Sequence, residues 1–152
     1  MKQLKHLFSL ALVAMTLFSF VACDDTDDET QAPTFESISL SRLVVESSDT
    51  ITLKLNIKDK GKNAYIWRCE FGWVNKYDPT DKYSLALTKE TYPITLDNPV
   101  YVFKAPKNSG TYVVSFTPKI SYIAGKNLYS DGPTLTSTLV VKAKGSEEDP
   151  EF

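Results

Sequence analysis

Apolar and polar positions alternate along this chain with the period of β-strands, and no stretch of the body carries a long helical spacing. Across residues 50–56, Ile51, Leu53 and Leu55, continued by Ile57, face one way while Thr52, Lys54 and Asn56 face the other. That is the pattern of a half-buried strand. Tyr65, Trp67, Cys69, Phe71 and Trp73 repeat it opposite Ile66, Arg68, Glu70 and Gly72. The spacing predicts a strand that sends Trp67, Cys69 and Phe71 into the core and brings Trp73 to the rim. Residues 135–141 alternate again, and residues 34–40 do so more weakly. Shorter apolar runs at Leu43-Val44-Val45, Val100-Tyr101-Val102-Phe103, Tyr112-Val113-Val114 and Ile120-Ser121-Tyr122-Ile123 predict further strands. Clusters such as Glu46-Ser47-Ser48-Asp49, Asp59-Lys60-Gly61-Lys62-Asn63 and Asp131-Gly132-Pro133 supply the turns between them. Residues 75–90 lose the pattern and read as a long connection with room for one short edge strand at Leu85-Ala86-Leu87. About seven or eight short strands with regular turns predict an all-β protein, a two-sheet β-sandwich.

The start of the chain has a different logic. Lys2 and Lys5 make it positive, residues 7–21 form an apolar run broken only by small hydroxyl side chains, and Ala22 precedes Cys23. This order is that of a secretory signal peptide over residues 1–22, and the run is shorter than the ~20 residues of a comfortable membrane span. Phe20-Val21-Ala22-Cys23 resembles the lipobox of bacterial lipoproteins, with Phe20 where leucine is usual. The resemblance implies that Cys23 becomes the first mature residue and carries the lipid chains that anchor the protein in a membrane. The acids that follow, Asp24, Asp25, Asp27, Asp28 and Glu29, resemble the export signal that directs lipoproteins of Bacteroidota to the outer face of the outer membrane. That likeness implies a lipid-anchored location facing the cell surface. As plain chemistry, the same acids repel one another and make residues 23–34 an extended tether. Residues 35–144 are then the folded domain, and residues 145–152 an acidic tail expected to be disordered.

Within that domain, Asn108-Ser109-Gly110-Thr111-Tyr112-Val113-Val114 resembles a strand opening of immunoglobulin-like domains. The resemblance implies a tyrosine corner at Tyr112, its hydroxyl bonding back to nearby backbone. Val114 stands where such domains place a cysteine, with Leu53 or Leu55 opposite, so aliphatic packing replaces the inter-sheet disulfide. Trp67 takes the place of the core tryptophan. Tyr65-Ile66-Trp67 with Phe71-Gly72, and later Gly110-Thr111-Tyr112, is also similar to PKD-type domains of the same immunoglobulin-like class. The expected fold is therefore an immunoglobulin-like sandwich with Leu53, Leu55, Trp67, Cys69, Tyr112 and Val114 in its core.

Charge and missing residue types narrow the chemistry. The chain has 17 basic and 19 acidic residues, but nine of the acids sit in the tether and the tail, which leaves a mildly basic body. Its basic residues are scattered, so nucleic acid is not an expected partner. The single histidine is His6, in the leader, so the mature chain lacks imidazole for a Ser-His-Asp site or a zinc ligand. Asp78 and Asp81 flank Pro79 in what reads as a solvated turn, and no spacing matches a calcium cage. No enzyme activity, metal or cofactor is expected. Trp73, Tyr77 and Tyr83 lie in or beside the irregular connection, where aromatic faces can stack on sugars or anchor a protein partner. The expected function is a non-catalytic binding module for a polysaccharide or protein, or an accessory of an outer-membrane uptake or adhesion assembly. The alternative is a structural spacer or a fimbria-like assembly subunit.

Overall fold

A computed structural model describes residues 30–124 and 126–145. The leader, Cys23 and the acids from Asp24 to Glu29 lie outside the described residues, as do residues 146–152.

The alternating segments form nine strands among the described residues: β1 (Thr34–Leu40), β2 (Val44–Glu46), β3 (Thr50–Asp59), β4 (Ala64–Asn75), β5 (Lys82–Thr88), β6 (Val100–Lys104), β7 (Gly110–Ala124), β8 (Lys126–Asp131) and β9 (Leu135–Lys142). One sheet has the order β1-β3-β6; the other runs β2-β9-β7-β4-β5, with β8 paired to β7. All pairs are antiparallel except β2 with β9. The protein is an all-β, immunoglobulin-like two-sheet sandwich. Its inner faces follow the alternation: Ile51, Leu53 and Leu55 of β3 meet Tyr112, Val114 and Phe116 of β7, all at most 1 % exposed. Fully burying one such aliphatic side chain contributes about 1.5–3 kcal/mol.

Trp67 departs from the expected core set. The β4–β7 register steps from Ile66 opposite Ile120 to Arg68 opposite Lys119, so Trp67 is the extra residue of a β-bulge. A bulge inverts the alternation on one side of itself. Ile66 therefore turns inward at 5 % exposure, while Trp67 is 37 % exposed. Cys69 and Phe71, beyond the bulge, keep their inward direction.

Two further elements extend past their expected limits. The connection after β4 contains a seven-residue strand, β5, paired with β4 from Val74 opposite Lys82 to Arg68 opposite Thr88. Strand β7 continues through Pro118, which has no N–H to donate. The Pro118 carbonyl accepts the Gly132 N–H at 2.8 Å, so its nitrogen also faces that side of the strand. There β7 changes partner, from β9 (Phe116 opposite Leu135) to β8 (Lys119 opposite Asp131). The proline thus sits where no ladder bond is needed.

The sandwich has unequal flanks. Three residues after β1 leaves the smaller sheet, the chain joins the larger one as β2, and this crossing closes the β1/β2 side. At the opposite flank, among the described residues, β5 and β6 end their sheets without a neighbour beyond them. Residues 89–99, between these two strands, add none to either sheet, although Ile94 is buried.

Candidate functional site

The open flank holds a cleft of about 640 Å³ between β4 and β5 on one side and β6 on the other. Its aromatic residues come from four segments. Strand β4 supplies Phe71 and Trp73, β5 supplies Tyr83, β6 supplies Tyr101 and Phe103, and Tyr92 comes from residues 89–99. The rings pack edge to face at the base, Phe71 against Tyr101 at 4.9 Å and Tyr92 against Tyr101 at 5.2 Å. Higher on the wall, Trp73 and Tyr83 stack at 5.8 Å with planes 21° apart, because register puts them directly opposite each other on β4 and β5. Burial, followed by the neighbouring Tyr92 and Tyr83, pushes the Tyr101 phenol up to about 12, so it is a neutral hydrogen-bonding group at physiological pH.

The rim is polar. Thr50, Asp81, Lys104, Lys107 and Asn108 line it, and Lys104 Nζ donates to Thr50 Oγ1 at 2.7 Å. Asp81 is committed to the scaffold. Tyr112 Oη lies 2.6 Å from its carboxylate and 2.9 Å from the Asn108 carbonyl oxygen, so one phenolic proton serves two acceptors. Asn108 Nδ2 donates to the same carboxylate at 3.2 Å. The Tyr112 hydrogen bond holds the Asp81 carboxyl below its ordinary range, while burial and the same bond push Tyr112 up to about 12. The bond back to Asn108 is a tyrosine corner; Asp81 ties that corner to the β4–β5 turn. Within the turn, Asn75 Oδ1 accepts the N–H groups of Tyr77 and Asp78, and Asp78 Oδ1 accepts that of Thr80. These bonds are Asx-type turns, a structural use of Asn75 and Asp78.

The three aromatics singled out in the sequence separate into two environments. Trp73 and Tyr83 form the cleft wall, but Tyr77 projects from the turn at 78 % exposure with Lys76 Nζ 5.7 Å from its ring centre, away from the cleft lining. Tyr92, Tyr101, Phe103, Lys104 and Lys107 were not anticipated as site residues. The alternation of Tyr101 and Phe103 within 100–104 was visible in the sequence, but it could not say which strand of the other sheet those rings would face. Cys69 is buried and free, its thiol pushed by burial up to about 12. Among the described residues no group of three or more His, Cys, Asp or Glu is placed to hold a metal ion.

Fold and cleft together define an immunoglobulin-like sandwich with an aromatic-lined opening between its two free sheet edges. No protein-family model and no curated protein matches the chain. Among solved structures, a computationally redesigned β-sandwich protein is similar over 78 % of this chain and 97 % of its own, at 13 % sequence identity and a TM-score of 0.45.

Proposed function

We propose that this protein is a lipid-anchored bacterial surface protein whose sandwich acts as a non-catalytic binding module, taking a polysaccharide or polypeptide in the cleft between β5 and β6. The observation that carries the reading is the concentration of aromatic faces at an open sheet edge beneath a polar rim. Such faces stack on sugar rings or receive apolar side chains, while a few rim groups set orientation. The anchor rests on the leader and Cys23, and the surface location on Asp24, Asp25, Asp27, Asp28 and Glu29. The module works alone or as an accessory of a larger outer-membrane uptake or adhesion assembly. The absence of enzyme activity rests on a mature chain without histidine and on carboxylates engaged in turn and corner hydrogen bonds.

Immobilised wild-type protein tested against cell-surface polysaccharides and proteins is expected to retain a ligand that Trp73→Ala and Tyr83→Ala lose with the fold intact. Equal retention by both variants would remove the cleft from the reading. Mass spectrometry of the mature N-terminus is expected to find a triacylated Cys23; an unmodified cysteine would remove the anchor. Protease shaving of intact cells is expected to cleave wild type but not a variant with the four tether aspartates changed to alanine.

A second reading, an assembly subunit joined through sheet edges, has the free edges of β5 and β6 in its favour. Lys82 and Lys104 on those strands oppose it, because lysines on edges discourage edge-to-edge pairing of copies. Sedimentation that remained monomeric at high concentration would exclude it.

A further inference from the structure

We infer that the ligand of the cleft is an extended polypeptide that adds as a strand to the free edge of β6, with alternate apolar side chains entering the cleft and acidic ones on its other face. This inference rests on the binding-module reading and selects polypeptide over polysaccharide.

The backbone at the edge is the first observation. Leu55 N–H donates to the Pro99 carbonyl and Ala105 N–H to the Asp49 carbonyl, so the odd-numbered residues from Pro99 to Ala105 turn their peptide groups toward β3. Peptide groups alternate in direction along an antiparallel ladder. Val100, Val102 and Lys104 therefore turn their N–H and C=O groups away from β3, to the open side. Among the described residues, no backbone hydrogen bond from another segment reaches them there. Such an edge is a template for an incoming strand.

The position of the cleft relative to that edge is the second. Tyr101 and Phe103 point inward from β6 and form its base, while Val102, on the outer face, is 53 % exposed. A strand laid beside β6 has its inward side chains, every second residue, over the cleft between Tyr101 and the Trp73/Tyr83 wall. Main-chain bonds then supply affinity and the aromatic cleft supplies selection for large apolar residues. A sugar chain has no use for a ladder of alternating amide donors and acceptors.

Charge selects the outer face of the incoming strand. Lys104 and Lys107 border the cleft, and among the described residues the ion pairs include neither. The one carboxylate in the lining, Asp81, is held by Tyr112 and Asn108. The mouth is thus cationic toward a ligand, and an acidic residue beside Lys104 makes a favourable cross-strand pair.

The test uses a synthetic peptide alternating leucine or phenylalanine with glutamate, a scrambled-order control, and the same peptide N-methylated at alternate amides. Full-length protein is expected to bind the alternating peptide, and hydrogen exchange of the Val102 and Lys104 amides is expected to slow on binding. N-methylation on the ladder-facing amides, or Val102→Pro, is expected to weaken binding by at least about tenfold, since each removes hydrogen bonds of the added strand alone. Proline is tolerated there because the Val102 N–H is outside the β3 ladder; if Val102→Pro does not fold, the methylated peptides carry the test. Binding indifferent to N-methylation and to Val102→Pro, yet lost in Tyr83→Ala, overturns strand addition and leaves the cleft reading standing. Binding of oligosaccharides but not of the peptide, again dependent on Trp73, does the same. A peptide that binds equally to Trp73→Ala, Tyr83→Ala and Val102→Pro overturns both.

Discussion

Replacing Tyr112 by phenylalanine removes one hydroxyl from the junction of β7 with the β4–β5 turn while leaving the buried ring in place. Two acceptors lose their donor: the Asp81 carboxylate at 2.6 Å and the Asn108 carbonyl at 2.9 Å. A hydrogen bond to a charged group is worth ~1.5–3 kcal/mol. Asp81 is partly solvated, so water takes up part of that loss, and a net destabilisation of about 1–2 kcal/mol is expected. At roughly 4 °C per kcal/mol for a domain of this size, the melting temperature should fall by ~4–8 °C. Chemical unfolding is easily followed through Trp73, whose ring centre lies 5.2 Å from that of Tyr112. The sign with pH is set by Asp81, whose carboxyl is held below its ordinary value in the folded protein. Its contribution is fully present above the unfolded carboxylate pKa of about 3.9 and is lost as pH falls through the lower folded value. The gap between wild type and Tyr112→Phe should therefore be largest at neutral pH and shrink below about pH 4 toward the part due to Asn108. Asp81→Asn, which keeps an oxygen acceptor and loses the charge, should sit between the two at neutral pH and approach wild type in acid, where the wild-type carboxylate is itself neutralised. A Tyr112→Phe variant within about 0.5 kcal/mol of wild type at neutral pH, or a gap unchanged in acid, would refute the shared-proton account.

Trp67→Ala should cost less than about 1.5 kcal/mol in urea unfolding, against ~3–5 for Phe71→Ala; equal losses would put Trp67 in the core. Gly61 has φ +69°, and a Cβ there would run into the Gln31 carbonyl oxygen, so Gly61→Ala should cost upward of about 1 kcal/mol and speed exchange of the Gln31 and Lys62 amides, which bond each other's carbonyls. The Cys69 thiol should resist thiol reagents in the native protein and react on unfolding. Burial pushes Cys69, Tyr101 and Tyr112 up to about 12, so stability should hold to about pH 8.5 and fall from there toward about 12 as the unfolded chain ionises first. In Cys69→Ala the decline should begin only near pH 10, where free tyrosine titrates; an unchanged onset would show that Cys69 is not buried as described.

Local chemistry wrote much of this fold into the chain. The strict alternation of Ile51, Leu53 and Leu55 determined both a strand and its inward face, because side chains on a strand change face at every residue. The tyrosine corner was legible for the same reason of proximity: Tyr112 and its backbone acceptor Asn108 are four residues apart. Its second acceptor, Asp81, is 31 residues away on another element, and no local pattern announces it. Strand β5 was blurred because an edge strand buries little on either face, and of Lys82–Thr88 only Leu87 is fully buried.

Where the periodicity misled, a partner strand had decided. Trp67 lies outside the core because β7 imposes a register step between Ile66 and Arg68, and a one-residue step flips every side chain to one side of it. The cleft has the same origin. Trp73 and Tyr83 were recognisable as unusual aromatics near a connection, but Tyr101 and Phe103 belong to the other sheet and Tyr92 to the segment between. Sequence alone determined which residues turn inward along strands that no bulge interrupts, through a period of two that each strand carries by itself. Tertiary structure alone decided which edges stay free and which rings meet there, because pairing joins segments tens of residues apart and leaves no local trace.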